Sequence, residues 1–427
     1  MPTPRALRPF STPQYRILTI ALLMSLLGAG VWLVAVVWQV IALGGGPADL
    51  SLVATGASVG LVGAVLIGGV AADRIPQKRI LVTVEAVKAV AIGTAAVLTF
   101  TGSVEIWHLA VVGFVLGVCD GFFYPAYSAL LPAVLPADEL LAANGIEGML
   151  RPTVMQAAGP ALSSAVIAAA SPAAAMAIVA VAQLLAVTAL AILRTTPVRR
   201  EMDASTHPIK SVLIDLKDGF TYMARTPWLL GTLLYATVLI LLIMGPIEVL
   251  LPFAVKDQTG GGAGAFALAI GAFGIGGAVG SLLVASLPLP RRYLTLMVLL
   301  WGVGSAPLAV IGLTDQLAVM VVALFVVGIA WAAAQVIWGT LLQRRVPPAM
   351  LGRVASLDFF VSLALMPVSM ALAGPVGERI GLAPAFLVAG TVPTLLAVIT
   401  VFAARMPRDE IEHPLATASV EPAATAH

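Results

Sequence analysis

The sequence predicts an all-α membrane protein with twelve transmembrane helices, and three observations carry that reading. The 427 residues are 60% hydrophobic and only 10% charged, whereas a soluble chain carries roughly a quarter charged residues. Apolar runs of about 20 residues, the length that crosses a bilayer, recur along the chain. The basic residues gather in alternate breaks between those runs. Too little polar surface exists to cover a soluble domain, so lipid is the expected solvent. Gly (40) and Pro (29) sit inside the apolar runs, which membrane helices tolerate and which argues against disorder.

In chain order the spans fall near residues 17–43, 50–72, 80–102, 106–132, 141–169 and 173–193, then 228–253, 265–287, 294–313, 317–342, 354–376 and 382–404. Arg5, Arg8 and Arg16 precede a first run too long for a signal peptide, so no cleavable leader is expected. Pro125, Pro160 and Pro367 are candidate hinges. The single cysteine, Cys119, excludes an internal disulfide framework and is expected to be a buried structural thiol. His108, His207, His413 and His427 are scattered without metal-ligand spacing, so neither a metal nor a cofactor is expected. The net charge of +2 says little about partners, but no basic arm or other sign of nucleic-acid binding is present, so no nucleic-acid partner is expected.

Placing both termini in the cytoplasm puts 19 of the 23 Lys and Arg in cytoplasmic segments, with only Lys256 and Arg379 facing outward and Lys88 and Arg151 inside spans. That bias obeys the positive-inside rule and supports the even helix count. The expected organisation is a six-helix bundle over 1–193, a cytoplasmic linker over 194–227, a second bundle over 228–404 and a disordered polar tail over 405–427. Residues 209–220 of the linker space their apolar side chains as an amphipathic surface helix would, with a purely structural role favoured.

The two halves echo each other. Gly63 and Arg79 recur as Gly276 and Arg292, Pro136 and Glu147 as Pro347 and Asp358, and Gly159-Pro160 as Gly374-Pro375, all about 210–215 residues on. Two six-helix pseudo-repeats around an axis along the membrane normal place a cavity between the halves, near the midplane. The loop after the second span reads Gly69-Val-Ala-Ala-Asp73-Arg74-Ile-Pro76-Gln77-Lys78-Arg79. It resembles the signature loop of the major facilitator superfamily, with Pro76 for the usual Gly and Gln77 for the usual Arg. Asp120-Gly-Phe-Phe-Tyr-Pro-Ala-Tyr-Ser, Leu141-Ala-Ala-Asn144-Gly, Gly245-Pro-Ile-Glu248 and Leu351-Gly-Arg353 are similar to the branch containing the enterobactin exporter and related drug-efflux proteins. Gly159-Pro160 matches the Gly-Pro of the superfamily's antiporter motif, whose flanking glycines are absent. The resemblance implies the major facilitator fold and export by proton antiport. It also implies that Asp73 contacts the start of helix 11, near Arg353, and holds the cytoplasmic side closed. A plain positive-inside anchor is the alternative reading of the loop.

Ionisable groups inside a span cost about 2.5 kcal/mol or more, so each needs a reason. Lys88, Asp120 and Arg151 come out roughly 12–16 Å from the cytoplasmic boundary. Glu85 lies three residues before Lys88, and Glu147 four before Arg151, so each pair shares a helix face. One N-terminal cluster of three acids and two bases is expected, either carrying protons or permanently locking the half. Helix 1 offers no acid, only Gln39, which moves any coupling to helices 4 and 5. Glu248 is either a substrate or proton contact or a water-reached interfacial carboxylate, and Asp358 is expected to cap helix 11. Trp32, Trp38, Gln39, Tyr124, Tyr127, Tyr235, Trp331, Gln335 and Trp338 are candidate cavity residues, with interfacial anchoring as the alternative. The expected activity is secondary export of a small amphiphilic compound, a drug or a siderophore-like molecule, by a monomer in the inner membrane. A facilitator or importer of a polar nutrient and a non-transporting receptor are the alternatives. No nucleotide loop or nucleophile–base pattern points to an enzyme.

Overall fold

The structure, a computed structural model, describes residues 5–136, 139–194 and 219–415. They form an antiparallel succession of membrane-length helices. The first half holds α1 (Pro13–Ala42), α2 (Pro47–Arg74), α3 (Gln77–Phe100) and α4 (Ile106–Val134), then α5 in three stretches (Leu140–Leu150, Arg151–Ala158, Gly159–Ala169) and α6 (Pro172–Ile192). The second holds α7 (Pro227–Gly245, Pro246–Leu250, Leu251–Thr259), α8 (Ala263–Ser286), α9 (Tyr293–Val303, Leu308–Ile311), α10 (Leu317–Arg345), α11 (Pro348–Leu363, Met366–Ile380) and α12 (Leu382–Ala403). Eleven of these are long and apolar enough to cross a membrane by themselves among the described residues. α5 completes the twelve, because its 30 residues wind continuously but change register in the middle. The fold is the expected all-α pair of six-helix repeats.

Prolines start several spans, where the missing N–H costs no hydrogen bond: Pro13, Pro47, Pro172 and Pro227 each stand at the first turn. The ladder slips to π-helix at Arg151–Ala158 and Pro246–Leu250. In both places a proline, Pro152 or Pro246, removes the donor that would continue the α pattern. At the second slip Ser369 of α11 adds its own push. Its hydroxyl donates to Leu241 O (2.7 Å) and accepts from Gly245 N (2.8 Å), the two groups that would close that turn of α7. Of the candidate hinges, Pro367 follows a break in α11 after Leu363, whereas Pro125 lies inside an unbroken α4.

Close packing within each half rests on small residues. α2 and α4 approach so nearly that a Cβ on Gly117 would run into the Ala57 carbonyl. A compact core of Tyr15, Leu18, Leu81, Phe123, Leu130 and Leu190 belongs to the first half alone, at the end bearing the arginine-rich loops. The larger core is shared: Val34, Val37 and Leu109 join Ile243, Leu250 and Phe266 toward the opposite face. Three hydrogen bonds that join the halves, from Ala48 to Glu378, from Ser51 to Met370 and from Gly374 to Ser51, also lie at that opposite face.

Several expectations need correction. α11 begins at Pro348 rather than near 354, so Asp358 sits ten residues inside it and cannot cap it. The start of the tail is ordered, contrary to the disorder expected from 405. Met406–Glu412 form helix α13, with Met406 fully buried. Asp409 pairs with Arg345, and Glu410 accepts from Thr295 N (2.7 Å) and Oγ1 (3.0 Å). The sequence shows polar residues there, and the physical reason for order is that their charges meet the ends of α9 and α10. Most of the linker, including nearly all of 209–220, and residues 416–427 lie outside the described residues.

Gly117→Leu is expected to force α2 from α4 at a cost of at least about 2–3 kcal/mol. Size-exclusion of a fluorescent fusion would show a clear loss of monodisperse protein, while Gly63→Leu, with open space at its Cβ, would leave it unchanged.

Candidate functional site

A cavity of about 330 Å³ lies between the halves. α1, α2 and α4 wall it with Trp32, Val36, Ala54, Leu61 and Tyr124, and the second half adds Ile247, Glu248, Phe266, Ile270, Met366 and Met370. Apolar side chains dominate. Ser25, Ser58, Lys88, Asp120, Arg151, Gln183 and Glu248 are the polar exceptions. Toward the face away from the basic loops, Trp38 stacks on Phe266 (5.8 Å between ring centroids), and Met366 and Met370 close the roof from α11.

The expected cluster of five charges is resolved into two. In the first, Lys88 Nζ donates to Asp120 Oδ1 at 2.7 Å and lies 3.7 Å from Glu85 Oε1. Ser25 Oγ donates to Glu85 Oε1 at 2.8 Å, and the ammonium also faces the Phe123 ring at 5.0 Å. The side chains grade from wet to dry: Asp120 is 39% exposed, Lys88 8% and Glu85 0%. Asp120 therefore meets the cavity, Lys88 stands behind it and Glu85 is sealed in the wall. Cys119 is buried next to Asp120 in sequence, as expected for a structural thiol.

In the second, Arg151 does not pair with Glu147 despite the favourable spacing. The first π-helical residue of α5 is Arg151, and the change of register turns its guanidinium onto the Tyr124 ring at 4.7 Å, in the cavity wall. Glu147 lies instead beside Tyr127. Tyr127 is 4% exposed and stacks on Phe123 outside the cavity.

The aromatic candidates divide in the same way. Trp32 and Tyr124 line the cavity. Trp38 packs in its roof, and Gln39 is buried in the wall of α1. Tyr235 is buried within the second half, where its hydroxyl donates to Pro393 O at 3.2 Å. Trp338 donates to Asp358 Oδ2 at 3.0 Å, Trp331 packs against Trp301, and Gln335 is exposed. These last four belong to the second bundle's own packing and surface. Ser25, Gln183, Met155, Phe266, Met366 and Met370 line the site without having been singled out. Nothing in a single sequence distinguishes a Met or Phe facing a cavity from one facing a neighbour. Glu248, carried on the π-helical stretch of α7, reaches the cavity with no hydrogen-bond or ion-pair partner among the described residues.

In the signature loop, Lys78 Nζ donates to Ala191 O (2.8 Å) and to Leu193 O, closing the end of α6. Gln77 Nε2 donates to Ala72 O at 2.8 Å and so fastens the turn that lacks the usual residues. Arg74 and Arg79 are exposed, and Gly69 has open space around it. The side chains of Asp73 and Arg353 lie outside the described residues.

Comparisons with known proteins agree with the fold. A family profile described as transmembrane secretion effector matches residues 4–425. Macrolide efflux protein A of Streptococcus pyogenes is 23% identical over 334 residues, covering 78% of this chain and 81% of the relative. Multidrug efflux pump Tap of Mycolicibacterium fortuitum is 26% identical over 395 residues, covering 89% and 93%. Among solved structures, a mutant of the nucleoside transporter NupG superposes with a TM-score of 0.70 at 13% identity, covering 90% of this chain and 99% of that one. A bacterial homologue of the lysosomal transporter Spinster gives 0.65 at 15% identity, covering 93% and 98%. At such identities the structures speak for the fold.

Lys88→Met would leave two carboxylates facing each other in the wall. The expected loss is about 3 kcal/mol, the lower end for breaking a buried pair because Asp120 keeps partial access to the cavity. Thermal unfolding in detergent should fall well below that of Arg151→Met, whose guanidinium rests on the Tyr124 ring and forms no ion pair with a described residue; equal melting of the two would refute the pairing.

Proposed function

Because the chain belongs to the transmembrane secretion effector family of major facilitator transporters, we propose that it exports small amphiphilic cations in exchange for protons. It is a multi-pass membrane efflux transporter and not an enzyme, as its relatives are. The proton exchange, the substrate class and the residues that serve them form our reading. The observation that carries it is the relay of Asp120, Lys88 and Glu85 at the cavity wall.

Two carboxylates share one ammonium there, so the group carries one net negative charge when both acids are ionised. A proton on Asp120 cancels it. Lys88 then keeps Glu85, 3.7 Å away, and moves by about an ångström without ever losing a partner, which the low dielectric requires. A cationic substrate is favoured by the unprotonated relay and disfavoured by the protonated one, which is the competition that antiport needs. Glu248 supplies a second negative charge from the opposite half and receives the substrate's amine, while Trp32, Phe266 and the methionines accept its apolar body. Arg151, laid on Tyr124, turns away bulkier cations from that wall.

The apolar lining argues against a polar nutrient, whose hydroxyls would want several hydrogen-bonding side chains. A volume of about 330 Å³, near the lower limit for drug-sized sites, favours compact amphiphiles over large macrocycles in this arrangement. The 19-to-2 bias of basic residues puts the arginine-rich face and both termini in the cytoplasm. The joined face is then the outer one, and the cavity is ready to load from the cytoplasm. The two bundles, 1–193 and 228–404, rock about it as a monomer. In the opposite state Asp73 meets the start of α11 near Arg353 and shuts the cytoplasmic side.

Ethidium efflux from energised cells of a pump-deficient host tests the reading. Efflux should collapse with a protonophore. Glu248→Gln should raise the half-saturating concentration roughly tenfold, the effect of losing one charge-assisted contact, while leaving efflux of a neutral amphiphile unchanged. Protonophore-resistant efflux would remove the proton coupling, and equal losses for cation and neutral compound would remove Glu248 as the amine contact.

A further inference from the structure

The outer ends of α2 and α11 meet through groups that the transport reading leaves unused. Gly46 stands at the N-cap of α2 and has no side chain to accept from the first-turn amides. Asp49 turns back to the Gly46 amide at 2.9 Å, which leaves the Ala48 N–H to be met from elsewhere. Glu378, near the end of α11 in the other half, meets it: Ala48 N donates to Glu378 Oε1 at 2.9 Å. The carboxylate also faces the positive end of the α2 dipole. One turn deeper, the Ser51 hydroxyl enters the α11 backbone, donating to Met370 O and accepting from Gly374 N at 2.8 Å. Those two groups are four residues apart and would otherwise close one turn of α11. The approach depends on bare backbone at two glycines. A Cβ on Gly374 would run into the Pro47 carbonyl, and one on Gly46 would stand 3.0 Å from Glu378 Oε1.

We infer that Glu378 and Ser51 form a releasable latch that holds the outer face shut, with Glu378 acting as a positioning residue of the transport cycle. All three hydrogen bonds cross between the halves, so opening the outer face breaks them together. Their breakage strands almost nothing. Met370 O and Gly374 N can close their own turn, and Ser51 can turn back to the carbonyl four residues upstream, as helical serines do. Glu378 is exposed and returns to water. Only the Ala48 N–H loses its partner, at a helix end that solvent can reach. Such a contact is strong enough to bias an equilibrium and weak enough to be remade in each cycle. The same helix pair carries an acid at its other end, Asp73 of α2, which by resemblance meets the start of α11. The pair would thus be fastened by one acid at each end, in alternate states.

The latch rests on alternating access, but its test needs neither substrate nor proton gradient, so it stands or falls apart from the efflux reading. Ala54→Cys places a thiol in the cavity beneath the latch, with buried Cys119 as the blank. A membrane-impermeant maleimide is applied to the full-length protein in whole cells and, separately, in inside-out vesicles. Glu378→Ala and Ser51→Ala should each raise labelling from the outside roughly three- to tenfold and lower labelling from the inside. Adding Gly46→Ser to Glu378→Ala gives α2 its own N-cap without restoring the link, so outside labelling should stay high. Unchanged labelling, a rise from both faces, or a return to the wild-type rate with Gly46→Ser would each overturn the latch. The second would show mere loosening, and the third would make Glu378 a helix cap and no more.

Discussion

An ammonium in a lipid-embedded wall stays charged only while a carboxylate remains within reach, and Lys88 is built around that constraint. Asp120 holds it at the cavity side and Glu85 waits behind, fixed in turn by Ser25. Removing either acid alone leaves the lysine a carboxylate; removing the lysine leaves the two acids no counter-charge, with Ser25 alone still donating to Glu85. With two carboxylates to one ammonium, the group holds one net negative charge at the cavity wall when both acids are ionised, and the proposed exchange rests on a single proton cancelling it. Apart from Arg151, Glu248 and a few polar side chains the cavity is lined by apolar groups, which leaves that charge little screened.

The second theme is a backbone interrupted on purpose at the places where charge or movement is needed. α5 and α7 leave the α register at Pro152 and Pro246, and the π-helical stretches carry Arg151 and Glu248 into the cavity wall. Serines perform a related task between helices. Ser369 enters the α7 ladder and Ser51 enters that of α11, each donating to one carbonyl and accepting from the amide four residues on. The first contact lies within a half, whereas the second crosses between halves, where the proposed latch needs it.

The fold was legible because it depends on sums. Twenty apolar residues make a span whatever their order, and arginines in alternate loops orient it, so the helices appear close to where hydropathy puts them. Lys88, Glu85 and Asp120 were legible as costly charges that needed one another. The Glu147–Arg151 pair was not, because i,i+4 spacing assumes an α-helix and the π slip at Arg151 turns the guanidinium to Tyr124. Asp358 was misjudged because helix 11 starts earlier than its hydropathy does, at Pro348. The tail helix was missed because its order comes from Arg345 and Thr295, far away in sequence. Tyr235 and Trp338 look like ligand-facing aromatics until Pro393 and Asp358 are seen to hold them.

The most direct test of the central claim separates coupling from movement. Ethidium transport is followed in proteoliposomes containing wild type or Asp120→Asn, with and without an imposed pH gradient. Wild type should concentrate ethidium only when the gradient is present. Asp120→Asn, which keeps Lys88 beside Glu85 but holds the relay neutral and cannot take up a proton, should exchange ethidium between equal solutions only at higher concentration and fail to concentrate it. Concentration by Asp120→Asn equal to that of wild type would contradict the relay.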